Sequence, residues 1–342
     1  MRSPIDGFPE LDELYQCWQS LGATGIAREE VWVEHGSKKF PILSFQFGRN
    51  DPQLPTLVLI AGIHGLEKIG THILTSYLRS FIRLLHWDRS LVHVLNESRI
   101  IFLPLMNPVG MYRNTRSNGS GVDLMRNAPI EAEKDGLPLI QGHRNGPHLP
   151  WFRGYEGQGM EIESQFLCDF IKRQCFASRT SLILDVHSGF GWVDRLWFPF
   201  AYTSRPFPDA PRMFALKKLL DSSFPHHVYT VEPQFHSYMT HGDLWDYLYL
   251  EHQKLESSNV FCPLSLEMGS WHWVRKNPRQ LFTSLGIFNP VKPHRIKRMH
   301  RRHSPLFNFL IKAIVSSAEW TDLSPSRLSF FAKKARRLWY ET

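Results

Sequence analysis

Short apolar runs alternate along this chain with longer stretches of helical period. "TLVLIAGIHG" (residues 56–65), "ESRIIFLPLMNP" (97–108), "SLILDVHSGFG" (181–191) and "PLSLEMGSW" (263–271) each run from apolar residues into polar ones or glycine. Runs of that length, rich in Leu, Ile and Val, predict buried strands. "EKIGTHILTSYLRSFIRLLH" (67–86) instead places Ile69, Ile73, Leu74, Tyr77, Leu78 and Phe81 on one helical face. "MEIESQFLCDFIKRQ" (160–174) and residues 10–21 read as further amphipathic helices. "REEVWVEHG" and "FPILSFQFG", both within the first 50 residues, alternate apolar with polar positions and predict antiparallel edge strands. Strands that alternate with helices predict an α/β chain with a mostly parallel sheet covered on both faces. In such sheets ligands gather at the carboxyl ends of the strands. Those ends carry His64, Asn107, His187 and Glu267.

Composition changes this picture little. With 342 residues, 42% of them hydrophobic and 21% charged, the chain can bury a large core without staples. Four scattered cysteines with no CxxC pair give neither a disulfide framework nor a zinc ribbon. The N-terminal "MRSPIDGFPELDELYQCW" lacks the apolar core of a signal peptide, and no apolar run is long enough to span a membrane. Cytoplasmic residence is the resulting expectation. Charge is more informative. Residues 292–342 hold 12 Lys/Arg against 3 Asp/Glu, while the rest holds 28 against 29. We therefore expect a body over residues 1–290 and a basic helical extension over 291–342. A local patch is not the footprint of a dedicated nucleic-acid-binding protein, but "KPHRIKRMHRR" (292–302) offers a place to an acidic partner.

The strand ends carry the chemistry. "HGLE" puts His64 and Glu67 three residues apart where a strand meets a helix. His187, at another strand end, would complete a His2Glu set with one position left for water, as catalytic zinc requires. Six short motifs then fall in order: HxxE, "NPVG", "YRNTR", "GVDLMRN", "DVHSG" and "SLEMG". Over residues 57–269 the chain thereby resembles the zinc metallocarboxypeptidase family.

The resemblance implies a three-layer αβα sandwich with a mixed, mostly parallel central sheet. It implies one Zn2+ held by His64, Glu67 and His187, with Glu267 as general base and Asp123 orienting the first zinc histidine. Arg113 would polarise the scissile carbonyl, and Arg126 would hold the substrate's terminal carboxylate. Tyr249 in "GDLWDYLY" matches the mobile tyrosine over the substrate. Asn127 and Arg116 are further substrate-binding candidates. The family's peptide-cleaving members usually carry asparagine before the carboxylate-binding arginine; Met125 stands there and has no donor. The implied activity is hydrolysis of an amide bond beside a carboxylate, first as a carboxypeptidase on peptides. N-acyl amino acid deacylases such as desuccinylases and aspartoacylases are the second choice, and a non-catalytic binding protein the third. His252 and Lys254 hint at an acidic substrate side chain. The insert at 191–211, with Trp192, Trp197, Phe198, Phe200 and Tyr202, is expected along one wall of the cleft.

Overall fold

A computed structural model describes residues 3–341, apart from 135, 137, 138 and 284. Eight strands form one sheet: β1 (Ile26–His35), β2 (Lys38–Phe47), β3 (Thr56–Ala61), β4 (Arg99–Leu103), β5 (Thr180–Ser188), β6 (Asp194–Phe198), β7 (Tyr229–Pro233) and β8 (Val260–Met268). Their order across the sheet is β1-β2-β4-β3-β5-β8-β6-β7. β4, β3, β5 and β8 run parallel at the centre, and β1 with β2 forms the antiparallel edge that alternation predicted. β6 pairs antiparallel to β8 and parallel to β7. The sheet is mixed with a parallel heart, as expected.

The central strands are buried along their whole length, which is why they read as continuous apolar runs. Helices Pro9–Leu21, Lys68–Leu84 and Pro293–Val315 pack together on one side of the sheet, and Ile162–Cys175 with Leu244–Gln253 on the other. The result is the three-layer sandwich. The predicted face of Lys68–Leu84 is the buried one. The C-terminal segment forms the helices Pro293–Val315, Ala318–Thr321 and Pro325–Trp339, and these share the core of the body. Phe307, Ile314, Trp320 and Trp339 are buried within the same apolar cluster as β3 and β5.

β6 and β7 escaped the sequence reading. The expected insert at 191–211 is instead β6 and the corner that follows it. Phe198 and Phe200 face the core, Trp192 is exposed, and of these aromatics Trp197 is the one that reaches the cleft. The parallel pairing leaves the carboxyl ends of β3, β4, β5 and β8 on one rim of the sheet, where the candidate residues meet.

Candidate active site

Strand register places the first pair. On β5, Asp185 and His187 are two apart and share a face. On the neighbouring β8, Glu267 sits directly opposite His187. His64 and Glu67 come from the turn between β3 and the helix Lys68–Leu84, with Glu67 immediately before that helix. The turn is held down by Asn107, whose Nδ2 donates to Ile63 O at 3.1 Å. Gly65 makes this possible: a Cβ there would lie 2.1 Å from the carbonyl carbon of Gly110.

These elements bring His64, Glu67 and His187 together, with their ligand atoms all within 4.8 Å of one another. His64 Nδ1 lies 2.9 Å from Glu67 Oε1, and His187 Nδ1 lies 3.3 Å from Glu67 Oε2. Tetrahedral ligands about 2.1 Å from a zinc ion would stand about 3.4 Å apart, so the triad is of a size to hold one ion. The outer nitrogens fit as well. His64 Nε2 meets Asp123 Oδ1 at 3.0 Å, and His187 Nε2 meets Asp185 Oδ2 at 2.7 Å. A carboxylate behind each histidine fixes its tautomer and turns Nδ1 inward. Asp185 was missed in the sequence, although its alternation with His187 in "DVH" signals it.

Electrostatics point the same way. Burial would raise the Glu67 carboxyl, but the two histidines overcome it and hold it well below its ordinary value. Burial would lower His187, yet Asp185 and Glu67 hold it well above the usual imidazole range. The site is thus tuned for positive charge at its centre. Glu267 behaves oppositely: burial first, then the Glu67 charge, push its carboxyl up to about 8. Its Oε1 accepts the Phe190 N–H at 2.9 Å, which fixes its orientation.

The arginine loop differs in part from expectation. Arg113 ends the helix Pro108–Arg113 and is exposed outside the cleft. The chain then turns through a left-handed Asn114, and the Arg116 carbonyl docks on the His64 turn by accepting the Gly65 N–H. That turn delivers Arg116, not Arg113, into the cleft. Arg116 Nε donates to Asp123 Oδ2 at 2.8 Å and its Nη1 to Glu67 Oε1 at 3.2 Å. Asp123 is fully buried and also accepts from Arg126 Nη1 at 3.2 Å, so one carboxylate sets a zinc histidine and two guanidinium groups.

Arg126 and Met125 line the cleft as predicted positions. Asn127 does not. Its Nδ2 donates to Arg153 O and its Oδ1 accepts the Glu161 N–H, so both ends tie loops together. Gly242 lets a second loop close over this one, because a Cβ there would lie 1.8 Å from Arg126 O.

Tyr249 is also displaced from its expected place. It is fully buried beside Phe200 and Phe207, and its hydroxyl donates to Asp209 Oδ2 at 2.8 Å. The tyrosine in the cleft is Tyr238, edge-on to Phe190 and Trp197. Burial pushes its hydroxyl up to about 12, so it is a proton donor at neutral pH. Sequence offered little to find it, since it lies in the aperiodic stretch between β7 and the helix Leu244–Gln253. His252 is buried against Phe261, and Lys254 is exposed and bonded to Glu251, so neither reads a substrate.

The cleft has a volume of about 630 Å3. Its side wall is apolar through Met125, Ile140, Trp151 and Trp197, with one acid, Asp243. Asp243 Oδ1 caps the helix Leu244–Gln253 by accepting two backbone N–H groups. Its Oδ2 has no hydrogen-bond partner among the described residues. Burial raises this carboxyl to about 6, against the opposing pull of its backbone donors and Arg126.

Comparison with known proteins agrees with this geometry. The fold matches the crystal structure of thrombin activatable fibrinolysis inhibitor with a TM-score of 0.65, at 15% identity, over 94% of this chain and 78% of that one. Carboxypeptidase A from Helicoverpa armigera matches with a TM-score of 0.60, at 18% identity, over 90% and 72%. Among curated proteins, carboxypeptidase E of Caenorhabditis elegans is 29% identical over 153 residues, 38% of this chain and 29% of that protein. Carboxypeptidase Z of Rattus norvegicus is 27% identical over 202 residues, 55% of this chain and 28% of that protein. The chain thus spans less than a third of the length of those curated relatives. The sequence profile of the zinc carboxypeptidases matches residues 33–268, from β1 through β8, the strand that carries Glu267, and the chain belongs to that family.

Proposed function

We propose that the chain is a zinc metallocarboxypeptidase that releases the C-terminal residue of peptides. The observation that carries this reading is the convergence of His64, Glu67 and His187 with Glu267, Arg116 and Arg126 in one cleft. A zinc ion on the triad would activate water and polarise the scissile carbonyl. The protein's own groups do the rest. Glu267, fixed by the Phe190 N–H, takes a proton from the attacking water and delivers it to the leaving amine. Arg116 holds a guanidinium beside the metal ligands, where it stabilises the developing oxyanion. Arg126 receives the free carboxylate at the end of the peptide. Tyr238 covers the substrate and donates a hydrogen bond.

Asp243 supports a finer reading of the substrate. An apolar wall with one unshared carboxylate oxygen suits a C-terminal residue with an apolar stem and a cationic tip. The family match favours the peptidase over the N-acyl amino acid deacylase, and the complete triad argues against a non-catalytic role. Four buried, unpaired cysteines support cytoplasmic residence; among the described residues no helix is long and apolar enough to cross a membrane. The test is release of free amino acids from peptides with free or amidated C-termini. Release from free-carboxylate peptides alone is expected, and equal release from amidated peptides would overturn the exopeptidase assignment.

A further inference from the structure

The basic stretch at 292–302 is not used by the cleft. It forms one wall of a separate pocket of about 320 Å3 behind the helix Trp271–Lys276. Arg295, Arg298 and Arg302 project from the helix Pro293–Val315 at spacings of three and four, so they share a face. Lys276 faces them from the opposite wall, and Asp194 is the one acid of the lining.

Asp194 is already satisfied. Its Oδ1 accepts the Gly269 N–H and its Oδ2 pairs with Arg302 Nε. That pair cancels in charge and leaves Arg295, Arg298 and Lys276 uncompensated. Arg295 Nη1 donates only to neutral acceptors, Trp273 O at 3.1 Å and Gln280 Oε1 at 3.3 Å. Gln280 is itself buried and anchored through Nε2 to Gly286 O and Asn289 O. Arg295 is therefore held in place without being neutralised. Arg298 and Lys276 have no hydrogen-bond or ion-pair partner among the described residues.

We infer that this pocket binds a compact polyanion, free in solution, that carries two or more phosphate groups. Guanidinium groups fit phosphate oxygens in pairs, and Arg is the usual residue for that geometry. A fixed Arg295 lowers the ordering cost of binding. The cations converge on a concavity instead of spreading along a face, and the volume lies at the small end of ligand sites. A few phosphates fill it, whereas a nucleic-acid strand or a membrane surface does not.

The test uses the full chain and inorganic tripolyphosphate in isothermal titration calorimetry. Saturable one-to-one binding is expected, weakening as salt rises. The double variant Arg298→Ala/Lys276→Ala should lose affinity about tenfold or more, since two charge-assisted contacts disappear. Both cations are exposed, so its unliganded melting temperature and peptide hydrolysis should match the wild type. Absence of saturable binding, equal affinity in the double variant, or binding only to anionic vesicles or long RNA would each overturn the inference.

Discussion

The metal side and the substrate side of the cleft are built differently. His187 and Glu267 stand on adjacent parallel strands whose register puts them opposite each other. Asp185 backs His187 from the same strand face. Arg116, Arg126 and Tyr238 instead come from loops whose paths are set by glycines, side-chain anchors and a shared carboxylate. Ladder hydrogen bonds fix the first group, so a one-residue slip would turn every side chain to the other face. No periodicity constrains the second group. On the proposed function, the groups that handle the attacking water are thus on the rigid part, and those that meet the substrate, Arg116 at its carbonyl included, are on the adjustable part.

The sharpest way to break this comparison is to exchange the two arginines. Arg116→Ala should lower kcat by about 10²–10³-fold, as loss of an oxyanion donor does, with little change in KM. Arg113→Ala, at an exposed helix end, should leave both constants near the wild type. Steady-state kinetics on one peptide decides, and the reverse ranking would return the carbonyl role to Arg113.

Asp243 gives the next effect in size. Asp243→Asn should raise KM for peptides ending in Lys or Arg by about tenfold, the scale of one charge-assisted bond. Peptides ending in Leu should be affected less. The wild-type preference for cationic ends should strengthen as pH rises through about 6, because the Asp243 carboxyl then ionises. A preference flat across pH 5–7.5 (on the order of a full titration) would remove Asp243 from substrate selection.

The smallest effects separate the two tyrosines. Tyr249→Phe strands the buried Asp209 oxygen and should cost about 1–3 kcal/mol of stability, with kcat unchanged. Tyr238→Phe should leave the melting temperature alone and raise KM. Thermal melts beside kinetics show whether the roles are divided this way.

The same division explains what was legible in the sequence. The central strands, the covering helices, the ligand triad, Glu267 and Asp123 could be read because apolar runs and short motifs fix them. The motif points to Arg113 rather than Arg116 because spacing cannot show where a helix stops and Asn114 reverses the chain. Asn127 looked available because its loop-tying bonds to Arg153 and the Glu161 backbone reach partners remote in sequence. Tyr249 belongs to an aromatic cluster that is core, with Leu248 and Trp245 buried in the same helix. β6 hid because an aromatic run next to a strand end reads equally well as a loop. The basic tail was visible as charge, but its union with Lys276 into a pocket needed the fold.

The central claim is that one metal centre and Glu267 divide the labour on the strand ends. Metal content and peptide hydrolysis, measured together on the wild type and on Glu267→Gln, test it most directly. The account predicts one zinc per chain in both proteins, with turnover in the variant reduced by at least about 10³-fold, beyond what a single positioning bond supplies. A wild type that hydrolyses peptides without bound metal, or a variant as active as the wild type, would contradict it.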